Sequence, residues 1–416
     1  MKFLKVISVT EAHELIRAHF GGAPPKTVKV GIDGALSLTA AADCRSGEDI
    51  PGFDRSTVDG FAVVASDTFG AGEAIPSLHT VAGRVEMGVM PDAAVTAGTA
   101  VYVPTGGALP SGADAVVMTE DTDIIKGHND NGGVLAVRSP CAPGANIIYK
   151  GDDIKKGQRL VGAGKVVTPL DIGVLAAAGI AEIEVCKPLD FFLISTGDEI
   201  VEIDDPQASQ PGSIRDINGH IISALLKKSG QNVIKRVIVP DRFDGIRNAV
   251  EEGLRLCDAV IISGGSSAGD KDYAPAVIDS FNDTGVFIHG LAVKPGKPTA
   301  VGKVRGKPVF GLPGHPASAV IAYGLTVDFY IRMMQNRSAG GNAVRAKMGA
   351  NVHSSPGKLT CQTVRLINEG GGLTAIPVHG KSGLITLLAN ADGYVEIPEN
   401  IEGLNKGEYV EVKIIN

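Results

Sequence analysis

The chain has 416 residues, more than one hydrophobic core usually organises, so we expect several domains. Its formal net charge of -7 argues against a broad nucleic-acid-binding surface, and the lack of tryptophan argues against a base-stacking platform. No apolar run is long enough to span a membrane, and the first residues lack the apolar core of a signal peptide. We therefore expect a cytoplasmic protein.

The cysteines lie far apart in the sequence, and no two of them form a C-x-x-C pair. This spacing favours reduced, mostly buried thiols over a disulfide framework or a zinc site. The five residues are Cys44, Cys141, Cys186, Cys257 and Cys361.

The N-terminal region begins with a helix signal. Ser8–Glu11 has the form of a capping box, apolar residues follow at helical spacing as far as Phe20, and Gly21-Gly22 ends the pattern. From about Ala41 to Lys150, short apolar runs such as Phe61–Val64 and Ala100–Val103 are broken by glycine and proline. These runs predict a small β-rich domain.

From about Glu182 the pattern alternates between strands and helices. The predicted strands are Phe191–Ser195, Val233–Val239, Ala259–Ile262, a run near Val286–Ile288, and Val309–Leu312. The predicted helices are one capped by Asn218 and stopped by Gly230, Phe243–Leu256, one after Gly265, and one starting at Pro316. This alternation predicts a mostly parallel sheet covered on both faces.

After about Gly340 we expect no further helices. The runs Leu359–Leu366, Leu373–Val378, Tyr394–Ile397 and Tyr409–Ile415 read as strands joined by glycine-rich turns. They predict a terminal β domain.

Polar motifs fall at the ends of the predicted parallel strands. Because open parallel sheets bind ligands outside the carboxyl ends of their strands, we expect these loops to converge on one edge. Backbone N–H groups of Ser263, Gly264, Gly265 and Gly314, with the ammonium groups of Lys294 and Lys297, would suit an anion. Glu199, Asp241 and Asp272 supply the hard oxygen ligands that Mg²⁺ accepts beside a phosphate.

Each motif also has a simpler explanation. The Thr196–Glu199 stretch and the glycines after Ser263 are common in turns, and the Lys294–Pro298 stretch is typical of a solvated hairpin. His315 alone is best explained as a surface loop histidine. Taken together, the motifs favour phosphate-ester or phosphoanhydride chemistry.

The β-rich region holds a second candidate site. Residues 51–62 bring two carboxylates, an arginine and two hydroxyls close together, and a Thr-Gly-Gly turn follows the strand that ends near Val103. Asp-Gly is also a common turn, and Asp54 could cap a local helix, so the residues alone leave both explanations open.

Seven motifs occur in an order that resembles the molybdopterin molybdenumtransferases, whose relatives include the C-terminal domain of gephyrin. The motifs are FDRSTVDGFAV, PTGGALPSGADAVV, GANIIYKGDDI, STGDEIV, SGGSSAGDKDY, VKPGKP and GLPGHPASA, and they span nearly the whole chain. Phe61, Gly107 and His315 depart from the residues that are frequent in the family.

The resemblance implies a multidomain α/β plus β protein with four domains. An elongated helical N-terminal segment would comprise residues 1–43 and 150–180, with a small β-rich domain inserted at 44–149. A central α/β pterin-binding domain with a mostly parallel sheet would follow at 181–335, and a C-terminal β domain at 336–416. A homodimer is also implied, with residues of the inserted domain of one subunit and of the α/β domain of the other acting together.

The resemblance also implies roles for individual residues. Asp59, Thr105 and Asp153 match the family's functional residues in the N-terminal half. Glu199, Asp241 and Asp272 match its acidic residues, and Lys294 and Lys297 match its anion-binding lysines. The catalytic residues would then be Asp59, Thr105, Glu199, Asp241 and Asp272.

The implied reaction is Mg²⁺-dependent transfer of molybdate, a substrate, onto adenylylated molybdopterin with release of AMP. Other proteins of cofactor biosynthesis would be the remaining partners, with no role for nucleic acid or a membrane. The alternatives are a molybdopterin adenylyltransferase and a non-enzymatic scaffold of the gephyrin type. The sequence does not distinguish molybdate from tungstate.

Overall fold

The computed structural model describes residues 6–126, 132–264, 273–338, 343–369 and 371–415. Contacts divide the chain into two compact units, one formed by 1–42, 163–169 and 182–416, the other by 43–162 and 170–181. Among the described residues, no helix has both the length and the apolar character needed to cross a lipid bilayer.

The predicted N-terminal helix is confirmed as Val9–Phe20. Ser8 is its N-cap, and the side-chain oxygen of Ser8 accepts a hydrogen bond from the backbone N–H of Glu11 at 3.1 Å. The buried face of the helix carries Ile16 and Phe20, which pack into the core of the larger unit. The capping box therefore correctly marks the start of a helix that packs against the central sheet.

The central sheet is mostly parallel, as predicted. Its six strands lie in the order Asn232–Val239, Asp190–Thr196, Ala259–Gly264, Lys307–Leu312, Ala300–Val304 and Gly285–His289. The first four strands pair in parallel, and the last two add antiparallel pairs. The antiparallel strand Ala300–Val304 was not predicted.

Besides Val9–Phe20, further helices of the larger unit pack around this sheet. They are Ile217–Lys228, Phe243–Leu256, Tyr273–Asp279, Pro316–Leu325 and Val327–Met334. The prediction that Asn218 caps the first of these helices was wrong. The cap is Asp216, whose side chain accepts from the N–H of Gly219, and Asn218 lies in the first turn.

The C-terminal strands close into a barrel-like sheet. Leu359–Glu369, Gly372–Pro377, Ala343–Met348, Tyr409–Ile414 and Gly393–Ile397 pair in that order, and the last strand pairs back with the first. The expectation of no helix after Gly340 was wrong, because Ile385–Ala389 forms a short helix whose Leu387 and Leu388 are buried.

The smaller unit contains a six-stranded sheet. Its strands lie in the order Ala115–Met118, Gly60–Val63, Thr99–Val103, Ser77–Arg84, Val134–Val137 and Thr122–Lys126. Apolar side chains from alternate positions fill a core on each face. This confirms the β-rich character predicted for the region.

Short elements complete the described secondary structure. The paired short strands are Thr27–Gly31 with Glu182–Cys186, Cys44–Arg45 with Arg159–Val161, Arg55–Ser56 with Ile147–Ile148, Ile200–Val201 with Ile214–Arg215, and Val352–His353 with Gly403–Leu404. Val293–Lys294 pairs with the strand that begins at Leu359, and Pro169–Ala177 is helical.

The segments expected to be helical are mixed in structure. Residues 1–43 and 150–180 contain the helices Val9–Phe20 and Pro169–Ala177, but also the strands Thr27–Gly31 and Arg159–Val161. The four-domain division stays a prediction.

The cysteines are the free, mostly sheltered thiols that their spacing predicted. Cys186, Cys257 and Cys361 are buried, and Cys44 and Cys141 are half-buried. Burial raises the pKa of the Cys257 thiol to about 11, with a smaller contribution from Asp190 and Asp258. Such a thiol is almost entirely protonated at neutral pH and is a poor nucleophile.

One buried histidine makes the folding stability of the smaller unit depend on pH. His79 is 2% exposed, and its Nε2 forms a hydrogen bond with the Ser77 hydroxyl at 2.9 Å. Burial lowers the pKa of His79 from 6.5, against smaller opposing effects of Asp67 and Thr99. As pH falls below 6.5, the unfolded chain therefore binds a proton that the folded chain resists, and folding stability decreases.

We predict that the wild-type protein loses more stability between about pH 7.5 and about pH 5.5 than His79→Gln does. Urea unfolding at both pH values measures the loss. His353→Gln, at an exposed position, is the control and should lose as much as the wild type. Equal losses in all three proteins would rule out a contribution from His79.

Candidate functional site

The carboxyl ends of the parallel strands lie level with one another. Thr196 pairs with Val239 on one side and with Gly264 on the other, and Ser263 pairs with Leu312 of the next strand. The loops that leave these strands therefore start from one edge of the sheet, as the sequence predicted.

Asp241 is held at this edge by two contacts. The Thr196 hydroxyl donates to Asp241 Oδ1 at 3.1 Å, and the Asp241 N–H donates to Asp198 Oδ1 at 3.3 Å. Thr196 is 3% exposed, whereas Asp198 is exposed. A buried hydroxyl thus orients a carboxylate that stands at the surface of the edge.

Glu199 lies in the same strand-end turn. An added Cβ at Gly197 would lie 2.8 Å from Glu199 Oε2, so the carboxylate lies close to the backbone of this turn. The Glu199 carbonyl accepts from the N–H of Ile214 at 2.8 Å, which fixes the following short strand. The turn and the short strand together place Glu199 beside the strand end at Thr196.

The carboxylates match the chemistry of a magnesium site in part. Asp241 and Glu199 offer hard oxygen donors, and Mg²⁺ commonly uses one or two carboxylates with water and substrate phosphates. No cluster of three acidic, histidine or cysteine side chains suited to a metal occurs among the described residues. Asp272, the third predicted ligand, and Gly265 lie outside them.

Two of the predicted glycines approach each other at the edge. Gly264 has φ +105°, and an added Cβ would lie 2.2 Å from the Thr196 carbonyl oxygen, so only glycine fits there. A Cβ on Gly314 would lie 3.7 Å from Gly264 Cα. The backbones of the two turns are therefore close neighbours.

Asn218 joins these turns. Its Nδ2 donates to the Ser263 hydroxyl at 3.0 Å and to the Gly314 carbonyl at 2.8 Å. Asn218 is 9% exposed, and its Oδ1 is buried without a hydrogen-bond partner in the described structure.

The helix that carries Asn218 is anchored by a buried carboxylate. Asp216 Oδ2 accepts from the Ser195 hydroxyl at 2.8 Å and from Arg236 at 2.6 Å. Burial opposes the charge of the Arg236 guanidinium, but the hydrogen bonds that it donates to Glu202 and Asp216 outweigh burial and raise its pKa. Arg236 thus stays charged and neutralises an acid whose side chain is 1% exposed.

The predicted anion-binding lysines, Lys294 and Lys297, are both exposed. Lys294 contacts the C-terminal sheet: its Nζ donates to the Ser355 hydroxyl at 3.0 Å, and its backbone pairs with Thr360. In the part of the chain that the structure describes, no hydrogen bond or ion pair joins either lysine to the strand-end loops. Their convergence with those loops stays a prediction.

In the smaller unit, the structure brings Asp59 and Thr105 together. Asp59 precedes the strand Gly60–Val63, Thr105 follows the neighbouring strand Thr99–Val103, and Asp59 Oδ1 accepts from the Thr105 N–H at 2.8 Å. Both residues are exposed. Asp153 is also exposed; its N–H donates to the Ile50 carbonyl at 3.1 Å.

Family models cover most of the chain. Residues 7–179 match the MoeA N-terminal region (domain I and II), 192–332 match a probable molybdopterin binding domain, and 345–415 match the MoeA C-terminal region (domain IV).

Relatives align over nearly the whole chain. A molybdopterin molybdenumtransferase from Staphylococcus aureus is 30% identical, covering 98% of this chain and 95% of its own length. The enzyme of that name from Bacillus subtilis is 30% identical, covering 94% and 90%. The chain belongs to the molybdopterin molybdenumtransferase family.

The fold agrees with this assignment. The crystal structure of the molybdopterin biosynthesis protein MoeA from Pyrococcus horikoshii is 35% identical, covers 99% of this chain and 100% of its own, and superposes with a TM-score of 0.76. The family is one of enzymes of molybdenum cofactor biosynthesis, and this chain shares its multidomain architecture of mixed α/β sheets with a barrel-like domain.

For this member of the molybdopterin molybdenumtransferase family, sequence reasoning did not name Asp216, and it treated Thr196 only as part of a turn motif and Asn218 only as a helix cap. Asp216-Ile217-Asn218 stands just before a clear helix pattern, which marks a cap but not which residue forms it. The partners that decide their roles, Ser195 and Gly314, are distant in the sequence.

We predict that Gly264→Ala destabilises the protein by about 2 kcal/mol or more, because the new Cβ meets the Thr196 carbonyl in a left-handed backbone conformation. Gly314→Ala, where the nearest atom is at an ordinary 3.7 Å, should change stability by less than about 0.5 kcal/mol. Thermal unfolding compares them. Similar losses in both variants would contradict the close approach at Gly264.

Proposed function

We propose that this protein transfers molybdate onto adenylylated molybdopterin and releases AMP, giving the molybdenum cofactor. The observation that carries the proposal is the edge of the parallel sheet, from which an oriented carboxylate at Asp241 and the loops at Gly264 and Gly314 all start. This combination suits a substrate that carries phosphates. Membership of the family supports the same reaction.

The glycine turns are the part of the site that would bind the anion. Backbone N–H groups near Gly264 and Gly314 supply donors without a side chain in the way, and the Gly314 turn opens into the helix Pro316–Leu325. Lys294 and Lys297 would add positive charge that steadies the negative charge developing at the phosphoanhydride.

Mg²⁺ is proposed as the cofactor, with Glu199, Asp241 and Asp272 as the residues that would hold it. Bound there, it would neutralise the phosphates and polarise the phosphoryl oxygen. The Thr196 hydroxyl donates to only one of the two carboxylate oxygens of Asp241. Thr196 would therefore orient this carboxylate while leaving its other oxygen for the metal.

The products distinguish this activity from the adenylyltransferase alternative. Purified protein is incubated with adenylylated molybdopterin, Mg²⁺ and molybdate, and AMP release and metal insertion are followed. We expect both to occur together. In a second incubation, with molybdopterin, Mg²⁺ and ATP, release of pyrophosphate without any AMP release in the first would instead identify an adenylyltransferase, and inactivity in both incubations would refute the enzymatic proposal.

We predict that Asp59→Asn lowers the rate of AMP release by about 100-fold or more. The amide oxygen can still accept from the Thr105 N–H, so the variant removes the negative charge while the turn is kept. Asp67→Asn is the matched control, because Asp67 Oδ2 also accepts a loop N–H, that of Gly98 at 2.8 Å. Near-wild-type activity in Asp59→Asn would show that its charge has no role.

A homodimer with shared sites is a further proposal, which rests on the family resemblance. We predict that Asp59→Asn and Asp241→Asn, each inactive alone, regain about one quarter of wild-type activity when mixed and allowed to exchange subunits. Random pairing makes half of the dimers mixed, and each mixed dimer holds one site free of both changes.

Differently tagged chains first demonstrate that subunits exchange. With exchange shown, the absence of recovered activity would mean that each site is built from a single chain. It would leave the reaction itself unaffected.

A further inference from the structure

The buried amide of Asn218 has an unusual balance of hydrogen bonds. Its Nδ2 lies within hydrogen-bond distance of three acceptors, the Ser263 hydroxyl at 3.0 Å and the carbonyls of Gly314 at 2.8 Å and Pro313 at 3.5 Å, whereas its Oδ1 has no partner among the described residues. Because a carbonyl can only accept, the amide nitrogen must be the group that faces Gly314.

The acceptors belong to two neighbouring strand ends. Ser263 is the next-to-last residue of the strand Ala259–Gly264, and Pro313 and Gly314 follow the neighbouring strand, which ends at Leu312. The described backbone pairing between these strands extends to Ser263 and Leu312. Among the described residues, the Asn218 side chain forms hydrogen bonds with both of these strand ends.

Asn218 is itself held firmly. Asp216 caps its helix, and the same carboxylate accepts from Ser195 and Arg236. The helix start is therefore fixed to the central strand Asp190–Thr196, and the amide has little freedom to follow a turn that moves. A fixed donor between two turns sets their spacing.

We propose that Asn218 is a positioning residue that sets the distance between the Ser263–Gly264 and Gly314 turns, so that their backbone N–H groups bind one phosphate-bearing substrate together. The inference rests on the proposed function of this edge. It predicts that loss of the amide weakens anion binding more than it weakens the fold.

Asn218→Leu is the first test variant. Leucine has a similar size and removes both the donor and the unpaired acceptor. We expect a smaller fall in the thermal unfolding temperature than the control variant Gln231→Leu shows, at least a 10-fold increase in KM for adenylylated molybdopterin, and a smaller change in kcat. Titration with AMP, used as a probe, should show a similar increase in Kd.

Asn218→Asp is the second variant. A carboxylate still accepts from the Ser263 hydroxyl but repels the Gly314 carbonyl, so it should weaken AMP binding by a similar factor. Ser263→Ala combined with Asn218→Leu should lose no more than the larger of the single losses if the two residues act as one unit.

Gln231→Leu is the matched control, just beyond the C-terminal end of the same helix. Gln231 is 4% exposed, accepts from the Leu189 N–H at 2.9 Å and donates to the Ser229 carbonyl at 2.6 Å. It should lower the unfolding temperature and leave Kd for AMP unchanged. This is the opposite pattern to that expected for Asn218→Leu.

Two results would overturn the inference. Wild-type affinity and KM in folded Asn218 variants would show that the amide does not set the binding geometry, and failure of both variants to fold would show that its role is in folding. A wild-type protein that neither turns over substrate nor binds AMP would instead refute the proposed function.

Discussion

Burial of the central strands on both faces is the constraint from which the candidate site follows. Phe191 and Leu193 pack into one core and Phe192 and Ile194 into the other, so both faces of this strand are apolar until its last two residues. A one-residue slip would exchange the two sets of side chains, and the register is therefore fixed by packing. That register is what holds Thr196 level with Val239 and Gly264.

The parts of the fold that could be predicted are those determined by local pattern. The helix Phe243–Leu256 has a strong apolar periodicity, and its predicted ends agree with the structure. The capping box at Ser8 likewise depends on residues three apart. The strand Ala300–Val304 was missed, because it forms a strand only by pairing with Lys307–Leu312 in a hairpin. The helix Ile385–Ala389 was missed as well, because five residues are too few to show a helical period.

In the candidate site, too, only the residues marked by local sequence pattern could be predicted. Carboxylates and glycines after strands could be found in the sequence, since strand order is not needed to know that parallel strands end together. Lys294 is different: its pairing with Thr360 and its contact with Ser355 depend on a strand far along the chain. The choice of Asp216 over Asn218 as cap also depends on distant residues, because Ser195 and Arg236 both bind its carboxylate.

His315 shows how the Gly314 turn is stabilised from a second direction. Its ring does not cap the helix that it precedes; Nδ1 instead forms a hydrogen bond with the Ser382 hydroxyl at 2.9 Å. The Ala317 N–H donates to the Ser382 carbonyl at 3.2 Å, and Ala317 packs against Leu387 and Leu388 of the short helix. An exposed glycine turn alone would be flexible. With Asn218 bound to Gly314 and Ser382 bound to the next residue, less conformational entropy remains to be lost when an anion binds.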